Sequence, residues 1–372
     1  MIKESEIPGR LDWLILLIMT ALLMFSVPIV YSASSTIGFT KYGSSEKFLM
    51  SQVLRVFVAL AITILISRID YHRYKSMNKK ILYSGISLLL LVFVMGSKMK
   101  GASRWLNLGA FSFQPSEFAK FALVIFLAAW LSDNQDRLNN FKEGIVPALL
   151  SIGIVCGLIF LQPNFSTATI IGCISIMILY AGNIPTRFLG FIGLFSGIGI
   201  AIYGISAPYR VKRLLSYIGS DSATKDSNHQ LKQAILAFGN GGFLGVGAGQ
   251  SHMRDLFLPE SYGDFISAII GEEYGFIGIM LIMALFIIFT LRGLRIAKHA
   301  PDKFGSLLAF GITITISIYA FVNIGVNCGI LPTTGLPLPF LSYGGTAVIL
   351  SAIAVGILLN ISSQAGLFPA KK

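Results

Sequence analysis

Leu258-Pro259-Glu260-Ser261-Tyr262-Gly263-Asp264-Phe265 is a polar stretch that passes directly into Ile266-Ser267-Ala268-Ile269-Ile270-Gly271-Glu272-Glu273-Tyr274-Gly275-Phe276-Ile277-Gly278, an apolar run that continues to about 291. A run of this length is enough to cross the hydrocarbon core of a bilayer as one helix. On that reading Asp264 marks the membrane boundary, and Glu272 and Glu273 lie two turns inside it. Acids at that depth are costly, so one or both must face protein rather than lipid.

The rest of the chain repeats the pattern. Of 372 residues, 54% are hydrophobic and 12% charged, and the mean hydropathy is +0.75, whereas a soluble domain carries about 25% charged residues. Ten apolar runs approach or exceed spanning length, near 11–33, 48–67, 81–97, 116–132, 145–161, 165–182, 188–206, 265–291, 305–328 and 346–362. No polar interval is long enough to fold around a core of its own. The chain therefore reads as an all-α integral membrane protein of about ten transmembrane helices. It forms one polytopic domain over 1–372, with a large extracytoplasmic loop at about 207–263 between helices 7 and 8. The first run is longer than the apolar centre of a signal peptide and lacks a small-residue cleavage site, so it counts as helix 1.

A net charge of +12 would suit nucleic acid if the cations formed a patch. Instead they sit in short segments between apolar runs: Arg68, Arg73, Lys75, Lys79 and Lys80 after helix 2, Arg187 after helix 6, Arg292, Arg295, Lys298 and Lys303 after helix 8, and Lys371 and Lys372 at the end. All fall on one side, which the positive-inside rule makes cytoplasmic, together with both termini. Nucleic acid is not an expected partner. Cys156, Cys173 and Cys328 lie in or beside apolar runs without pairing or metal spacing, and are expected to be inert buried thiols.

The outer side then carries 34–47, 98–115, 162–164, 207–263 and 329–345. In the second of these, Pro115 and Ser116 suit a helix start, with Glu117 in the first turn and Lys120 one turn on along the same face. That pair is either a structural intramembrane ion pair or part of a functional cavity. The glycine-rich run 239–249 lacks the Gly-Lys-Ser/Thr ending of a nucleotide loop, so tight packing is the expected role. Residues 329–345 hold three prolines and four glycines and cannot be regular helix. Irregular backbone at membrane depth is tolerated only where it is buried in protein or lines a cavity.

Asp264, at the seam, is a candidate general base that is partly desolvated yet reachable from water. An acid just before an apolar helix is also a good N-cap, and the two roles are compatible. Glu272 and Glu273 are expected to make helix-packing hydrogen bonds or to pair with Arg55 in helix 2. No His, Cys or carboxylate set has the spacing of a fixed metal site, and no serine–histidine arrangement stands out.

Gly101-Ala102-Ser103-Arg104-Trp105-Leu106, Phe113-Gln114-Pro115-Ser116-Glu117-Phe118-Ala119-Lys120, the glycine-rich 239–249, Leu258-Pro259-Glu260 with Asp264-Phe265, Gly271 to Gly278 and Gly335 to Gly345 together resemble the SEDS family (shape, elongation, division and sporulation), the FtsW/RodA-type peptidoglycan glycosyltransferases. The match spans about two thirds of the chain in the family's order. Gly245 to Ser251, without the extra residues of RodA-type proteins, is more similar to the FtsW branch. Asn164 stands where the family usually has Asp, and Ser261-Tyr262-Gly263 replaces its usual histidine-containing triplet.

The resemblance implies an inverting glycosyltransferase that polymerises lipid II at the outer face of the cytoplasmic membrane, at midcell if FtsW-like. Asp264 would be the catalytic base. Arg104, Arg210 and Arg213, or a divalent cation such as Mg²⁺ held with the substrate diphosphate, would stabilise the leaving group; no organic cofactor is implied. Supporting residues would be Glu117, Lys120, Trp105, Arg55, Glu260, Ser342, Gly344 and Gly345. Implied partners are lipid II, undecaprenyl-diphosphate-linked glycan, a class B penicillin-binding protein (the transpeptidase) and other division proteins. Two rival readings are a lipid II flippase using Glu117, Lys120, Glu272 and Glu273 as a relay, and a non-catalytic divisome scaffold.

Overall fold

The computed structural model describes residues 11–99, 102–108, 111–205, 225–254, 258 and 261–366. Its described α-helices are α1 (Trp13–Tyr42), α2 (Lys47–Ser67), α3 (His72–Met95), α4 (Pro115–Asp133), α5 (Val146–Leu161), α6 (Phe165–Ala181), α7 (Thr186–Ile205), α8 (Lys225–Gly241), α9 (Ile266–His299), α10 (Lys303–Asn327) and α11 (Gly345–Gln364). Eight segments are long and apolar enough to cross a membrane: α1 to α4, Phe141–Leu161 containing α5, and α9 to α11. α6 and the Thr186–Gly199 part of α7 are apolar but shorter. The protein is a multi-pass membrane protein, and every apolar run of the sequence falls on one of these helices.

Helices outrun their apolar runs where nothing breaks them. α3 begins at His72 rather than near 81, so Arg73, Lys75, Lys79 and Lys80 stand on its first turns. The segment 72–80 contains no Gly or Pro, and its polar residues are ordinary helix formers. α1 continues through 34–42, expected as loop, until Gly43 closes it at φ +70 with its N–H on the Phe39 carbonyl. The chain is also not purely helical. Residues 97–113 carry a three-stranded antiparallel sheet, β1 (Ser97–Met99), β2 (Ala102–Leu108) and β3 (Phe111–Phe113), in that order. β1 and β3 are too short to give a readable alternation, and the seven residues of β2 place Trp105 beside Leu106 and so do not alternate.

α4 lies at the centre. From Pro115 to Leu131 every residue except Phe118 and Trp130 is buried, the behaviour of a helix apolar on all sides. Polar side chains tie one end of the bundle together. Asp12 caps α1, accepting from the N–H groups of Leu14 and Ile15 at 3.0 and 3.2 Å. Its Oδ2 takes two guanidinium nitrogens of Arg292 from α9 at 3.0 Å, and its own N–H donates to Ser362 Oγ of α11 at 3.0 Å. Asn360 of α11 accepts from the Tyr71 N–H and donates to the Ser67 carbonyl, both at 2.9 Å. In a low-dielectric interior such groups must be paired to be tolerated.

α9 is broken at Gly275, whose φ of 65 and ψ of −161 are non-helical. The backbone groups freed there pair with the glycine-rich run: the Val246 and Gly247 N–H groups donate to the Glu272 and Glu273 carbonyls at 2.9 and 3.1 Å, and the Phe276 N–H donates to the Gly242 carbonyl at 2.9 Å. The expected tight packing of this run is thus a backbone-to-backbone seam. The cysteines depart from expectation. Cys173 of α6 is exposed and Cys156 of α5 is half-buried, because only one face of each of these short helices meets the bundle, and Cys328, which caps the C-terminus of α10, is half-buried as well.

Candidate functional site

Two irregular segments meet at the start of α9. One is the turn 261–265, which carries Asp264. The other is the loop 329–344 between α10 and α11, whose Leu336, Leu338, Phe340, Leu341 and Ser342 are buried, as irregular backbone in a membrane protein requires. α9 begins at Ile266 with Phe265 in the capping position, one residue later than a capping role for Asp264 would need. Asp264 is half-exposed. Its Oδ2 faces Gly335, 3.3 Å from where a Cβ on that glycine would stand.

The segments are stitched by hydrogen bonds. Ser342 Oγ accepts from the Leu338 N–H at 2.7 Å and donates to the Gly263 carbonyl at 2.8 Å. The Tyr343 N–H donates to the Tyr262 carbonyl at 2.9 Å. Ser261 Oγ anchors the turn to α1 through the Ala33 carbonyl at 2.8 Å. Phe48 of α2, Tyr262 and Tyr343 pack as mutual ring neighbours with centroids 5.0–5.6 Å apart, and Tyr42 of α1 meets Phe48 at 5.9 Å.

Arg55 of α2 lies on the far side of Tyr343, with its guanidinium carbon 3.9 Å from the ring centroid. Its Nε is 3.3 Å from where a Cβ on Gly345 would stand. Gly344 is the capping residue of α11 and supplies no side chain, so the free N–H end of that helix and a guanidinium sit side by side. Both favour an anion. Arg55 Nη1 is buried and has no hydrogen-bond partner among the described residues. Of the two alternatives for Glu272 and Glu273, pairing with Arg55 or packing hydrogen bonds, the structure shows the second. The Glu272 carboxylate serves the glycine-rich segment, accepting from Ser251 Oγ, from the Met253 N–H at 3.2 Å and from Asn240 Nδ2 at 3.4 Å, and the Glu273 carboxylate accepts from Ser32 Oγ of α1.

Glu117 and Lys120 form a buried ion pair at 2.8 Å. Lys120 Nζ also stands 3.8 Å from the Tyr319 ring centroid, a cation–π contact strengthened by desolvation. The pair lines a small pocket together with Thr315, Tyr319, Pro337, Pro339 and Ser351. The loop 335–345 therefore has Asp264 against Gly335 and the ion-pair cavity against Pro337 and Pro339. Asp264 is not among the residues lining that cavity.

Other expected site residues lie apart. Arg104 donates from Nε to the Gln162 carbonyl at 3.1 Å and from Nη2 to the Pro163 carbonyl, clamping β2 onto the α5–α6 turn. Trp105, next to it, is half-buried on β2 opposite Ser97. Arg210, Arg213 and Glu260 lie outside the described residues. Two residues of the site escaped notice in the sequence, Asn323 and Asn327 of α10. Asn323 Nδ2 donates to the Asp264 and Leu336 carbonyls at 2.8 and 2.7 Å, and Asn327 Nδ2 approaches the Asp264 carbonyl at 3.1 Å. The legible signal was two amides one turn apart on an apolar helix, which share a face.

The arrangement offers a carboxylate reachable at the rim of a loop–helix seam, with an anion-favouring helix end and guanidinium along the same loop. Such a set can accept a proton from one group while stabilising negative charge on another.

A family model described as a cell cycle protein, covering FtsW, RodA and SpoVE, matches residues 12–366. The chain is 40% identical over 366 residues to the probable peptidoglycan glycosyltransferase FtsW of Geobacter metallireducens, covering 98% of this chain and 96% of that one. It is 41% identical over 356 residues to stage V sporulation protein E of Bacillus subtilis, covering 95% and 97%. Among solved structures, a chain from work on structural coordination of polymerization and crosslinking by a peptidoglycan synthase complex aligns with a TM-score of 0.79 at 22% identity, covering 96% of this chain and 99% of that one. The rod shape determining protein RodA of Thermus thermophilus aligns with a TM-score of 0.70 at 23% identity, covering 95% and 96%. At those identities the structural likeness speaks for the fold.

Proposed function

This chain belongs to the FtsW, RodA and SpoVE family of cell cycle proteins, and from that premise we propose that it is a peptidoglycan glycosyltransferase polymerising lipid II into glycan strands. The relatives named FtsW support septal synthesis during division, at the outer face of the cytoplasmic membrane and at midcell, with both termini cytoplasmic as the distribution of Lys and Arg suggests.

Asp264 takes the proton from the 4-hydroxyl of the acceptor's N-acetylglucosamine as that oxygen attacks the anomeric carbon of the N-acetylmuramic acid ending the growing chain. The bond to undecaprenyl diphosphate breaks and the anomeric centre inverts. The leaving diphosphate gains negative charge, which Arg55 and the N-terminus of α11 are arranged to offset; Arg210 and Arg213 are further candidates, whereas Arg104 is engaged by the 162–163 carbonyls. Among the described residues no three His, Cys, Asp or Glu side chains gather into a metal site. A hard cation such as Mg²⁺, held mainly by the substrate's own phosphates, needs at most one or two protein carboxylates. A class B penicillin-binding protein is the proposed partner, on the analogy of the structurally similar peptidoglycan synthase complex.

The observation that carries this reading is Asp264, half-exposed at the helix start and held against the Gly335 loop. The test is polymerisation of purified lipid II in detergent, where no membrane sidedness exists, by the protein with its transpeptidase partner. Wild type is expected to make glycan and Asp264→Asn to make none. Glycan from Asp264→Asn at the wild-type rate would refute the reading.

A further inference from the structure

Asn323 is buried, with 1% of its surface exposed, and it uses its carboxamide fully. The two N–H bonds go to two carbonyls on different segments, Asp264 at 2.8 Å and Leu336 at 2.7 Å. The oxygen accepts from Ser267 Oγ in the first turn of α9 at 2.9 Å. This fixes which end of the amide is which, because turning it over would set its oxygen against two carbonyl oxygens. One rigid planar group thus spans the turn that carries Asp264, the loop that faces its carboxylate and the helix that follows it. Asn327, one turn along α10, adds a second approach to the same Asp264 carbonyl at 3.1 Å.

The other contacts between the turn and the loop, through Ser342 and Tyr343, join one irregular segment to another. The Asn323 amide hydrogen-bonds the backbone of both to a bundle helix, α10, which is mostly buried along its length. We propose that Asn323 is the positioning residue of Asp264: it holds the backbone of Asp264 and that of Leu336 at a fixed separation, and so sets the distance from the carboxylate to the Gly335 wall where the acceptor hydroxyl is deprotonated. It touches no substrate. Its effect is geometric, and displacement of a reacting group by about 1 Å costs on the order of 10²-fold in rate. This inference rests on the glycosyltransferase reading above.

The experiment compares wild type, Asp264→Asn, Asn323→Ala, Asn323→Asp and Asn323→Gln, each purified with the transpeptidase partner and assayed on lipid II across pH, with thermal unfolding measured in parallel. Asn323→Ala and Asn323→Asp are expected to lower kcat by about 10²-fold with KM within about threefold. The acidic limb of their kcat/KM profile should move, because the base then sits in altered surroundings. Asn323→Gln, which keeps the amide on a longer arm, is expected to recover part of the loss. Asn360→Ala, which removes a buried amide near the C-terminal end of α11 and away from the site, serves as a fold control and should leave the pH limb in place. Folded Asn323 variants with wild-type kcat and an unmoved limb would overturn the inference while leaving a silent Asp264→Asn to uphold the glycosyltransferase reading. Loss of activity that only tracks loss of folded protein, with the limb unmoved, would also overturn it. An active Asp264→Asn would remove both.

Discussion

Asp264 Oδ2 faces Gly335: a Cβ on Gly335 would stand 3.3 Å from that oxygen, at a backbone φ of +68. Gly335→Ala therefore meets two obstacles. The left-handed backbone costs an L-residue about 1–2 kcal/mol, and the new methyl must push Asp264 away. Thermal unfolding should show the first effect, and a fall in kcat of about tenfold or more should show the second. A variant that loses stability but keeps full turnover would place the reacting atoms elsewhere.

Lys120 and Glu117 are each nearly fully buried and pair at 2.8 Å. Removing one charge strands the other, so Lys120→Met should destabilise the protein by about 3–5 kcal/mol. Glu117→Gln with Lys120→Met together should recover most of that loss. Unfolding of both variants in one detergent measures the coupling, and equal losses for the single and double variants would argue against an energetic pair.

The break in α9 depends on close backbone approach. At Gly245 the φ is +88 and a Cβ would lie 2.1 Å from the Glu273 carbonyl oxygen, whereas at Gly242 the φ is +54 and nothing lies within 4 Å. Gly245→Ala should exceed about 4 kcal/mol of destabilisation or prevent folding, and Gly242→Ala should cost only about 1–2 kcal/mol. The yield of folded protein after membrane extraction separates the two.

Tyr71 donates its hydroxyl to Asp302 at 2.5 Å. Burial, and then the neighbouring Asp302 carboxylate, hold its ionisation well above the ordinary tyrosine range. A folded-state pKa above the unfolded value contributes stability that is complete below about pH 10 and declines as pH rises beyond it. Wild type should exceed Tyr71→Phe by about 1.5–3 kcal/mol at neutral pH. The gap should narrow above about pH 10; a constant gap from neutral to strongly alkaline pH would contradict the assignment.

Hydropathy alone determined the membrane class and the position of every apolar helix, because burial in lipid needs an apolar surface whatever the neighbours are. The motifs around Asp264, Glu117 and Ser342 carried the family and the candidate base. The tertiary structure decided which polar groups meet. Asn323 and Asn327 reach Asp264 across separations of 59 and 63 residues, Arg104 turns to the 162–163 carbonyls, and Glu272 binds the glycine-rich segment while Glu273 binds Ser32 of α1. A polar side chain inside a membrane must find a partner, but composition and periodicity do not say which one. That choice depends on how the helices pack and on where α9 breaks, and so it became visible only in three dimensions.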